Sequence, residues 1–281
     1  MKLSYPVTVP DTSAKVMAWC DEYSEAFPAL KKSGYEAVEL LVRDPKTVNR
    51  NLLDELLELN QLSLSAIGTS PMQKEDQLFL MDTDEERREE ALRRFDDLID
   101  LAAYYRVPVL IGKFRGMVGD QPGCTLGDLQ NIMRKACKKA EKAGIDIYLE
   151  PQSRSSINNL NTAEECIAWI NESGCKNIKL LMDLYHLEKT EKSVTESLLR
   201  SKDYIGMIHM SDSERRIPGY GNIPMQEVLT ALEIAGYEGY LSMEIKQYPS
   251  SAEAAGLCVL SLKYIESLKD ERNETVHLIN K

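Results

Sequence analysis

Four side chains that can bind a metal ion stand at the ends of four consecutive β-rich segments. The segments finish in YLEP, LLMD, MIHM and SMEI, and the residues concerned are Glu150, Asp183, His209 and Glu244. Three carboxylates and one imidazole suit a hard or borderline divalent cation. The set contains no thiolate, which argues against a structural zinc site. The pattern therefore predicts one metal centre, provided that the fold brings the four segment ends together.

A plainer interpretation exists for each of these residues taken singly. An acidic residue after a strand is commonly a solvated loop residue, and a lone histidine is commonly hydrogen-bonded in a core. However, the chain has only three histidines, and one of them, His209, stands where the predicted centre needs it. Three carboxylates gathered without a cation would also repel one another and take up protons. The coincidence favours the metal centre.

The elements that must position these residues alternate regularly along the 281 residues. Strands are predicted over 3–9, 37–42, 63–67, 108–111, 146–149, 178–182, 205–209 and 239–245. Helices are predicted over 14–33, 49–60, 84–105, 125–143, 162–173, 192–201, 224–235 and 251–268. Eight strand–helix units predict an α/β fold, a single-domain (β/α)8 TIM barrel, in which functional residues lie at the C-terminal ends of the strands.

An open doubly wound sheet is the alternative arrangement of such units. It normally carries a glycine-rich phosphate loop after the first strand, and the segment VTVPDTSAK contains no glycine. The barrel is therefore the better interpretation. The charged residues from about 269 to 281 are predicted to be a tail that extends or follows the last helix, and no linker or second domain is indicated.

Composition excludes several classes of function. The formal net charge of −11 argues against a protein that binds a phosphate backbone. No apolar run is long enough to cross a membrane, and the N-terminal segment is too short and too polar for a signal peptide. The six cysteines form no C-x-x-C pair, which indicates free thiols in a reducing compartment. We therefore expect a cytoplasmic protein without nucleic-acid or membrane partners.

The strings around the candidate ligands resemble those of a known family. E-P-x-x-R, D-L-Y-H, H-x-S-D-S-x-R and P-G-x-G are similar to motifs of the xylose isomerase-like sugar epimerases and isomerases. Within that group the chain resembles the ketose 3-epimerases, and AVELLVRDP, AIGT, LIGKFRG and LNTAEE look closest to 5-keto-L-gluconate epimerases. The resemblance covers essentially the whole chain. It implies proton transfer beside the carbonyl of a ketose or keto-sugar acid, in a homodimer or homotetramer.

The resemblance also implies roles for particular residues. One divalent ion, Mn²⁺ in the first place and otherwise Mg²⁺, Co²⁺ or Zn²⁺, would polarise the carbonyl and stabilise the resulting enediolate. Glu150 and Glu244 would ligate the ion and also exchange the proton on opposite faces of the substrate. His186 and Arg215 match positions that hydrogen-bond substrate oxygens. One departure is Ser156, which stands where ketose 3-epimerases usually carry a glutamate, so a partner for Glu150 must come from elsewhere.

Further cations after the predicted strand ends suggest an anionic substrate. Arginine and lysine gathered at one rim of an acidic protein would recognise a keto-sugar acid or a sugar phosphate. The alternative is a structural ion pair of Arg43 with Asp44 or Glu39. The cations predicted to face the rim are Arg43, Lys113, Arg115 and Arg154.

Four other functions compete with epimerisation. An inosose dehydratase-like lyase or a hydroxypyruvate isomerase would begin with the same proton abstraction at the same site. An endonuclease IV-like phosphodiesterase would need several metals and more than the three histidines present. A barrel that only binds sugar would be expected to lack at least one acid–base carboxylate.

Overall fold

Eight parallel strands close into a barrel in chain order in the computed structural model. It describes the backbone of residues 1–20 and 22–279 and the side chains of residues 1–20 and 22–268. The predicted (β/α)8 barrel is confirmed, and the open sheet is excluded because the last strand pairs with the first. The strands are β1 (Lys2–Thr8), β2 (Ala37–Leu41), β3 (Ser63–Gly68), β4 (Val109–Ile111), β5 (Ile147–Leu149), β6 (Ile178–Asp183), β7 (Ile205–His209) and β8 (Tyr240–Ser242).

Helices follow the strands and cover the outside of the barrel. Those in the described residues are α1 (Tyr23–Ser33), α2 (Arg50–Asn60), α3 (Ser70–Lys74), α4 (Glu85–Tyr105), α5 (Leu126–Ala143), α6 (Ala163–Ser173), α7 (Leu184–Thr190), α8 (Val194–Arg200), α9 (Met225–Ile234) and α10 (Ser251–Ile279). The backbone of α10 runs into the predicted tail at 269–281, whose side chains lie outside the described residues.

The first helix begins later than predicted. Trp19 N–H donates to the carbonyl of Pro6 at 2.9 Å, and Thr8 N–H donates to the carbonyl of Trp19 at 3.0 Å. Trp19 therefore forms a parallel β-bridge with Val7 and cannot be helical. The prediction of a helix is wrong for residues 14–20, which belong to a long loop between β1 and α1.

Two short helices at the C-terminal side of the barrel were not predicted. One is α3, and the other is α7, which precedes the predicted helix at 192–201. The start of α7 coincides with a candidate ligand, because the carboxylate of Asp183 accepts a hydrogen bond from Tyr185 N–H at 2.9 Å. Such an N-cap ends the strand and begins the helix at the same residue.

Both faces of the strands are buried, as a parallel barrel requires. The main core lies between strands and helices, and a smaller apolar cluster of Ala66, Leu110, Leu181 and Met207 fills the inside of the barrel. Glu39 interrupts the apolar run of β2, and its exposed fraction is 1%. A carboxylate in that environment requires a polar partner.

All six cysteines are free thiols in the structure. Within the described part of the chain, no helix combines the length and apolar character needed to span a bilayer.

Candidate metal centre and substrate pocket

The four candidate ligands meet at the C-terminal end of the barrel. Asp183 and His209 are the last residues of β6 and β7 and lie opposite each other in the strand register. Glu150 directly follows β5, and Glu244 stands two residues after the end of β8. One ligand atom from each of the four lies within 4.8 Å of the others. The register of the closed barrel thus brings them to one point.

The atoms that face this point are suited to a cation. Asp183 Oδ2, His209 Nδ1 and Glu244 Oε2 are buried and have no hydrogen-bond partner. His209 Nδ1 lies 3.3 Å from Glu244 Oε2 and 4.0 Å from Asp183 Oδ2. Buried polar atoms usually have a partner, so three such atoms without a hydrogen bond at one point can share one cation. The donor set fits a divalent ion.

Glu39 fixes the orientation of His209 from inside the barrel. His209 Nε2 donates to Glu39 Oε2 at 2.9 Å, and Ser242 Oγ donates to the same oxygen at 2.6 Å. In the neutral imidazole, a proton on Nε2 leaves the lone pair of Nδ1 facing the candidate centre. Burial alone would lower the pKa of His209, but Glu39 and Glu244 outweigh it and raise that pKa.

Sequence reasoning missed this role of Glu39. The available signal was a single acidic residue within the apolar run AVELLV. A strand of a barrel is buried on both faces, so this carboxylate had to have a polar partner in the interior. The alternation along β2 places Val38 and Leu40 in the outer core, and Glu39 therefore faces inward.

Arg215 reaches over the candidate ligands from the loop after β7. Its Nη1 lies 2.6 Å from Asp183 Oδ2 and 2.5 Å from Glu244 Oε2. Both are ion-pair contacts between the guanidinium and a candidate ligand. The guanidinium also lies over the ring of Tyr185, with Cζ 4.4 Å from the ring centre. Arg215 therefore places a cation in direct contact with two of the candidate ligands.

The backbone that carries Arg215 is held in a strained conformation. Glu214 and Arg215 have φ values of 58° and 61°, in the left-handed region that non-glycine residues rarely adopt. Asp212 organises the loop, because its carboxylate accepts hydrogen bonds from Ser213 N–H at 2.8 Å and Gly219 N–H at 2.8 Å. Strain of this kind is often concentrated at functional sites.

His186 presents a neutral imidazole to the pocket. Burial lowers its pKa to about 4. Ser153 N–H donates to His186 Nδ1 at 3.2 Å, and Arg215 Nη2 lies 3.3 Å from His186 Nε2. His186 Nε2 also lies 3.8 Å from Glu150 Oε1. His186 and Arg215 are thus in contact on the same side of the site.

The two glutamates differ in proton affinity. Burial raises the pKa of Glu150 well above its ordinary value, and the charges of Asp183 and Glu244 raise it further. Burial would also raise the pKa of Glu244, but Arg215 and His209 outweigh it and lower that pKa. The environment therefore separates two chemically identical side chains.

Gln152 replaces the missing acidic partner of Glu150. Its Nε2 donates a hydrogen bond to Glu150 Oε2 at 2.5 Å. Ser156 lines the pocket and accepts a hydrogen bond from the hydroxyl of Ser153. Gly112 leaves room for this pair, because a Cβ there would lie 2.4 Å from Glu150 Oε2.

A cavity of about 280 Å³ is lined in part by three of the candidate ligands, Glu150, His209 and Glu244. The loop between β1 and α1 forms part of its wall through Lys15, Val16 and Met17, and α3 contributes Lys74. Of the four cations predicted to face this rim, Lys113 lines the cavity. Lys15, Lys74 and Lys113 form no ion pair with any described residue, which leaves three uncompensated charges around the opening.

The other three predicted cations lie elsewhere. Arg43 pairs with Asp76 at 2.7 Å, not with Asp44 or Glu39. Arg154 has a side chain that is 71% exposed and pairs with Glu165 at 3.1 Å. The expectation that these arginines gather at the rim is wrong, because acidic neighbours outside the cavity hold them.

Arg115 is a structural residue behind the site. Its exposed fraction is 0%, and it donates to the carbonyl of Glu150 at 3.1 Å and to that of Gly112 at 2.9 Å. It also donates to the carbonyls of Asn159 and Leu160 at 3.0 Å and 3.3 Å. Its guanidinium is fully used in tying the loops after β4 and β5 together, so it does not face the cavity as predicted.

Comparisons with known proteins agree with this architecture. Residues 27–266 match the family described as xylose isomerase-like TIM barrel. A D-psicose 3-epimerase from Enterocloster bolteae is 25% identical over 80% of this chain and 77% of its own. A 3-dehydro-D-guloside 4-epimerase from Escherichia coli is 24% identical over 78% of this chain and 86% of its own.

A solved L-ribulose 3-epimerase has the same fold, with a TM-score of 0.78 and 20% identity over 98% of each chain. The resemblance that the motifs indicate is confirmed, since the family match covers most of the chain and the relatives are keto-sugar epimerases. The chain belongs to the xylose isomerase-like TIM-barrel family.

Proposed function

We propose that this protein is a divalent metal-dependent epimerase of keto sugars that transfers a proton at the carbon beside the carbonyl. The observation that carries the proposal is the pair of glutamates at the centre. Glu150 follows β5 and Glu244 follows β8, and these strands are separated by two strands on one side and four on the other. The two carboxylates therefore enter the site from well-separated strands, which suits two bases that act on opposite faces of one carbon.

The side chains divide the work between proton transfer and charge stabilisation. One glutamate removes the proton and the other returns a proton on the opposite face, and each such role typically contributes about 10²–10⁴-fold. His186 and Arg215 hydrogen-bond the substrate oxygens where negative charge accumulates. Glu150, Asp183, His209 and Glu244 would hold a divalent ion, Mn²⁺ in the first place, which supplies Lewis-acid polarisation of the carbonyl.

The relatives support epimerisation without fixing the substrate. They include a 3-epimerase of psicose and a 4-epimerase of a dehydro-guloside, which differ in the carbon that is inverted. Both relatives are named as enzymes that invert one carbon centre of a keto sugar. The homo-oligomer implied by the sequence resemblance stays a prediction.

We further propose that the substrate is an anion, either a keto-sugar acid or a sugar phosphate. Lys15, Lys74 and Lys113 surround the opening of the cavity without an acidic partner, in a protein whose net charge is −11. Lys113→Met should raise KM for a keto-sugar acid about tenfold and leave KM for the matching neutral ketose nearly unchanged. Lys46→Met is the control, since Lys46 pairs with Asp97 away from the cavity. Equal effects of Lys113→Met on both substrates would contradict an anionic substrate.

The reaction class is tested by incubating Mn²⁺-loaded protein in D₂O with ketoses, keto-sugar acids and sugar phosphates, followed by NMR. Deuterium in both epimers of an intact keto sugar is the expected result. Interconversion of a ketose with an aldose would instead identify an isomerase, and a new enone absorbance a dehydratase. Sugar binding without exchange in the loaded protein would identify a binding barrel.

A further inference from the structure

The loop between β1 and α1, residues 10–18, lies against the cavity and supplies three of its lining residues. Lys15, Val16 and Met17 form that wall. The loop returns to the barrel at Trp19, whose backbone pairs with Pro6 and Thr8. Main-chain hydrogen bonds therefore hold the C-terminal end of the loop, at Trp19. The residues before Lys15 are held by a different contact.

Glu75, the residue at the C-terminal end of α3, provides that attachment. Its Oε2 accepts hydrogen bonds from Ser13 N–H at 2.9 Å and Ala14 N–H at 3.1 Å. Its Oε1 accepts a hydrogen bond from Ser13 Oγ at 2.7 Å. Three donors of the loop, all immediately before Lys15, thus converge on one carboxylate. Hydrogen bonds to a charged group are stronger than those between neutral groups.

Arg43 holds Glu75 and the loop together from the barrel side. Its Nη1 lies 3.0 Å from Glu75 Oε1 and donates to the carbonyl of Asp11 at 3.1 Å. Asp76 receives Arg43 Nη2 at 2.7 Å and Arg94 Nη1 at 2.6 Å. Arg94 belongs to α4, so Arg43 is fixed by a rigid helix while it contacts the loop.

The electrostatics of Glu75 are consistent with this arrangement. Burial alone would raise its pKa, but the hydrogen bonds from Ser13 and Ala14 and the charge of Arg43 outweigh it and lower the pKa. The carboxylate is therefore ionised at neutral pH and accepts from all its donors at once.

We propose that Glu75 and Arg43 are positioning residues, which hold loop 10–18 against the cavity so that Lys15, Val16 and Met17 are in place before the substrate arrives. Only the kinetic consequence rests on the proposed function. A loop that is already ordered lowers the entropic cost of binding. When the attachment is lost, a smaller fraction of molecules is competent to bind and KM rises accordingly. The value of kcat changes little, because neither residue touches the two glutamates of the centre.

The loop itself is tested by limited proteolysis with trypsin, which cleaves after the exposed Lys15 when the loop opens. Glu75→Gln keeps the size of the side chain but turns an amide against the loop donors. We expect cleavage of the Lys15–Val16 bond to become about tenfold faster, and KM for any keto sugar that the wild type converts to rise about tenfold. Ser13→Ala removes one donor at an exposed position and should give a smaller change, about threefold.

Asp97→Asn is the matched control. It removes ion pairs with Arg93 and Lys46, at 2.7 Å and 3.3 Å, and has no contact with the loop. Equal cleavage rates in Glu75→Gln and Asp97→Asn would overturn the proposal, and so would a loss of kcat at unchanged KM. Because proteolysis needs no substrate, a wild-type protein that converts no sugar would refute the epimerase while the cleavage rates still decide the role of Glu75.

Discussion

Three of the candidate ligands are hydrogen-bonded to other groups of the protein through one side-chain atom, and their second polar atom faces the centre. Asp183 is bonded through Oδ1 to the start of α7, His209 through Nε2 to Glu39, and Glu150 through Oε2 to Gln152. Partners of this kind set the direction of a ligand and, for histidine, its tautomer. Much of the precision of the centre therefore depends on residues that would never touch the ion.

Glu39→Gln tests this dependence. The amide of glutamine can present an N–H to His209 Nε2, which favours the tautomer that blocks Nδ1. We expect Mn²⁺ affinity, measured by calorimetric titration, to fall by about 10- to 100-fold. Ser242→Ala, which removes a hydroxyl that donates to Glu39, should have a smaller effect. An unchanged affinity in Glu39→Gln would show that His209 is oriented by something else.

Arg115 gives a second prediction, about stability rather than chemistry. Arg115→Met would leave the carbonyls of Glu150 and Asn159 without their donor, whereas those of Gly112 and Leu160 keep a backbone donor. Each carbonyl left without a donor typically costs about 1–3 kcal/mol, so the free energy of unfolding in urea should fall by at least about 2 kcal/mol. Arg154→Met, at an exposed ion pair, should leave it nearly unchanged. Similar losses in both variants would contradict the structural assignment.

Residue type and strand position predicted which groups converge, but not where long side chains point. The four candidate ligands stand at a strand end or within two residues of one, so the barrel fixes their direction. Arg43 and Arg115 follow strands too, yet their flexible side chains turn to whichever acceptors lie nearby. The positions of those acceptors, Asp76 and the carbonyl of Asn159, depend on loops that the pattern of residues does not define.

At the scale of elements, all eight strands were predicted to within a few residues, because apolar β-rich runs separated by helical periodicity leave few alternatives. The loop at residues 14–20 was not predicted. Its composition is compatible with a helix, and only the pairing of Trp19 with β1 rules that out. Long-range pairing of this kind carries no local signal, which is also why the attachment of the loop by Glu75 was not foreseen.

The outer helix α4 carries a pH-dependent prediction. Glu90 Oε1 lies 2.6 Å from Arg93 Nη2 and 2.7 Å from Arg94 Nε. The hydrogen bond from Arg93, together with that from Arg94, lowers the pKa of Glu90 from 4.5 to about 2. A carboxyl whose pKa is lowered by folding stabilises the fold above its unfolded pKa, and this stabilisation is lost as the pH falls towards the folded pKa.

Glu90→Gln should therefore be less stable than the wild type at pH 7, by less than about 1 kcal/mol because the side chain is partly exposed. The difference should shrink between pH 4.5 and about 2, the window set by the two pKa values. Urea unfolding at pH 7 and at a pH inside that window measures both differences. A stability difference between the two proteins that grows as the pH falls would contradict the assigned ion pairs.

At the scale of the whole molecule, the barrel closes around a group of like charges. Glu150 and Asp183 are buried with exposed fractions of 6% and 0%, and Glu244 lies beside them. The guanidinium of Arg215 offsets part of their repulsion and a bound divalent ion would offset more, so the stability of the barrel and the occupancy of its centre should be linked.

Ion binding should therefore raise the melting temperature of the chelator-treated protein. At a free Mn²⁺ concentration about one hundred times Kd, the expected stabilisation is about 2.7 kcal/mol. Differential scanning calorimetry with and without the ion measures it, and Asp183→Asn should respond less because one ligand is weakened. If Mn²⁺ raised the melting temperature of Asp183→Asn as much as that of the wild type, the ion would bind at a site that does not include Asp183.

The most direct test of the two-glutamate account is to follow C–H exchange separately for each epimer in D₂O, using metal-loaded Glu150→Gln and Glu244→Gln. With one base absent, the remaining glutamate can still remove the proton that faces it. We predict that neither variant epimerises, while each exchanges the proton of one epimer only, and that the two variants differ in which epimer that is. Retained epimerisation in either variant, or exchange of the same epimer by both, would contradict the account.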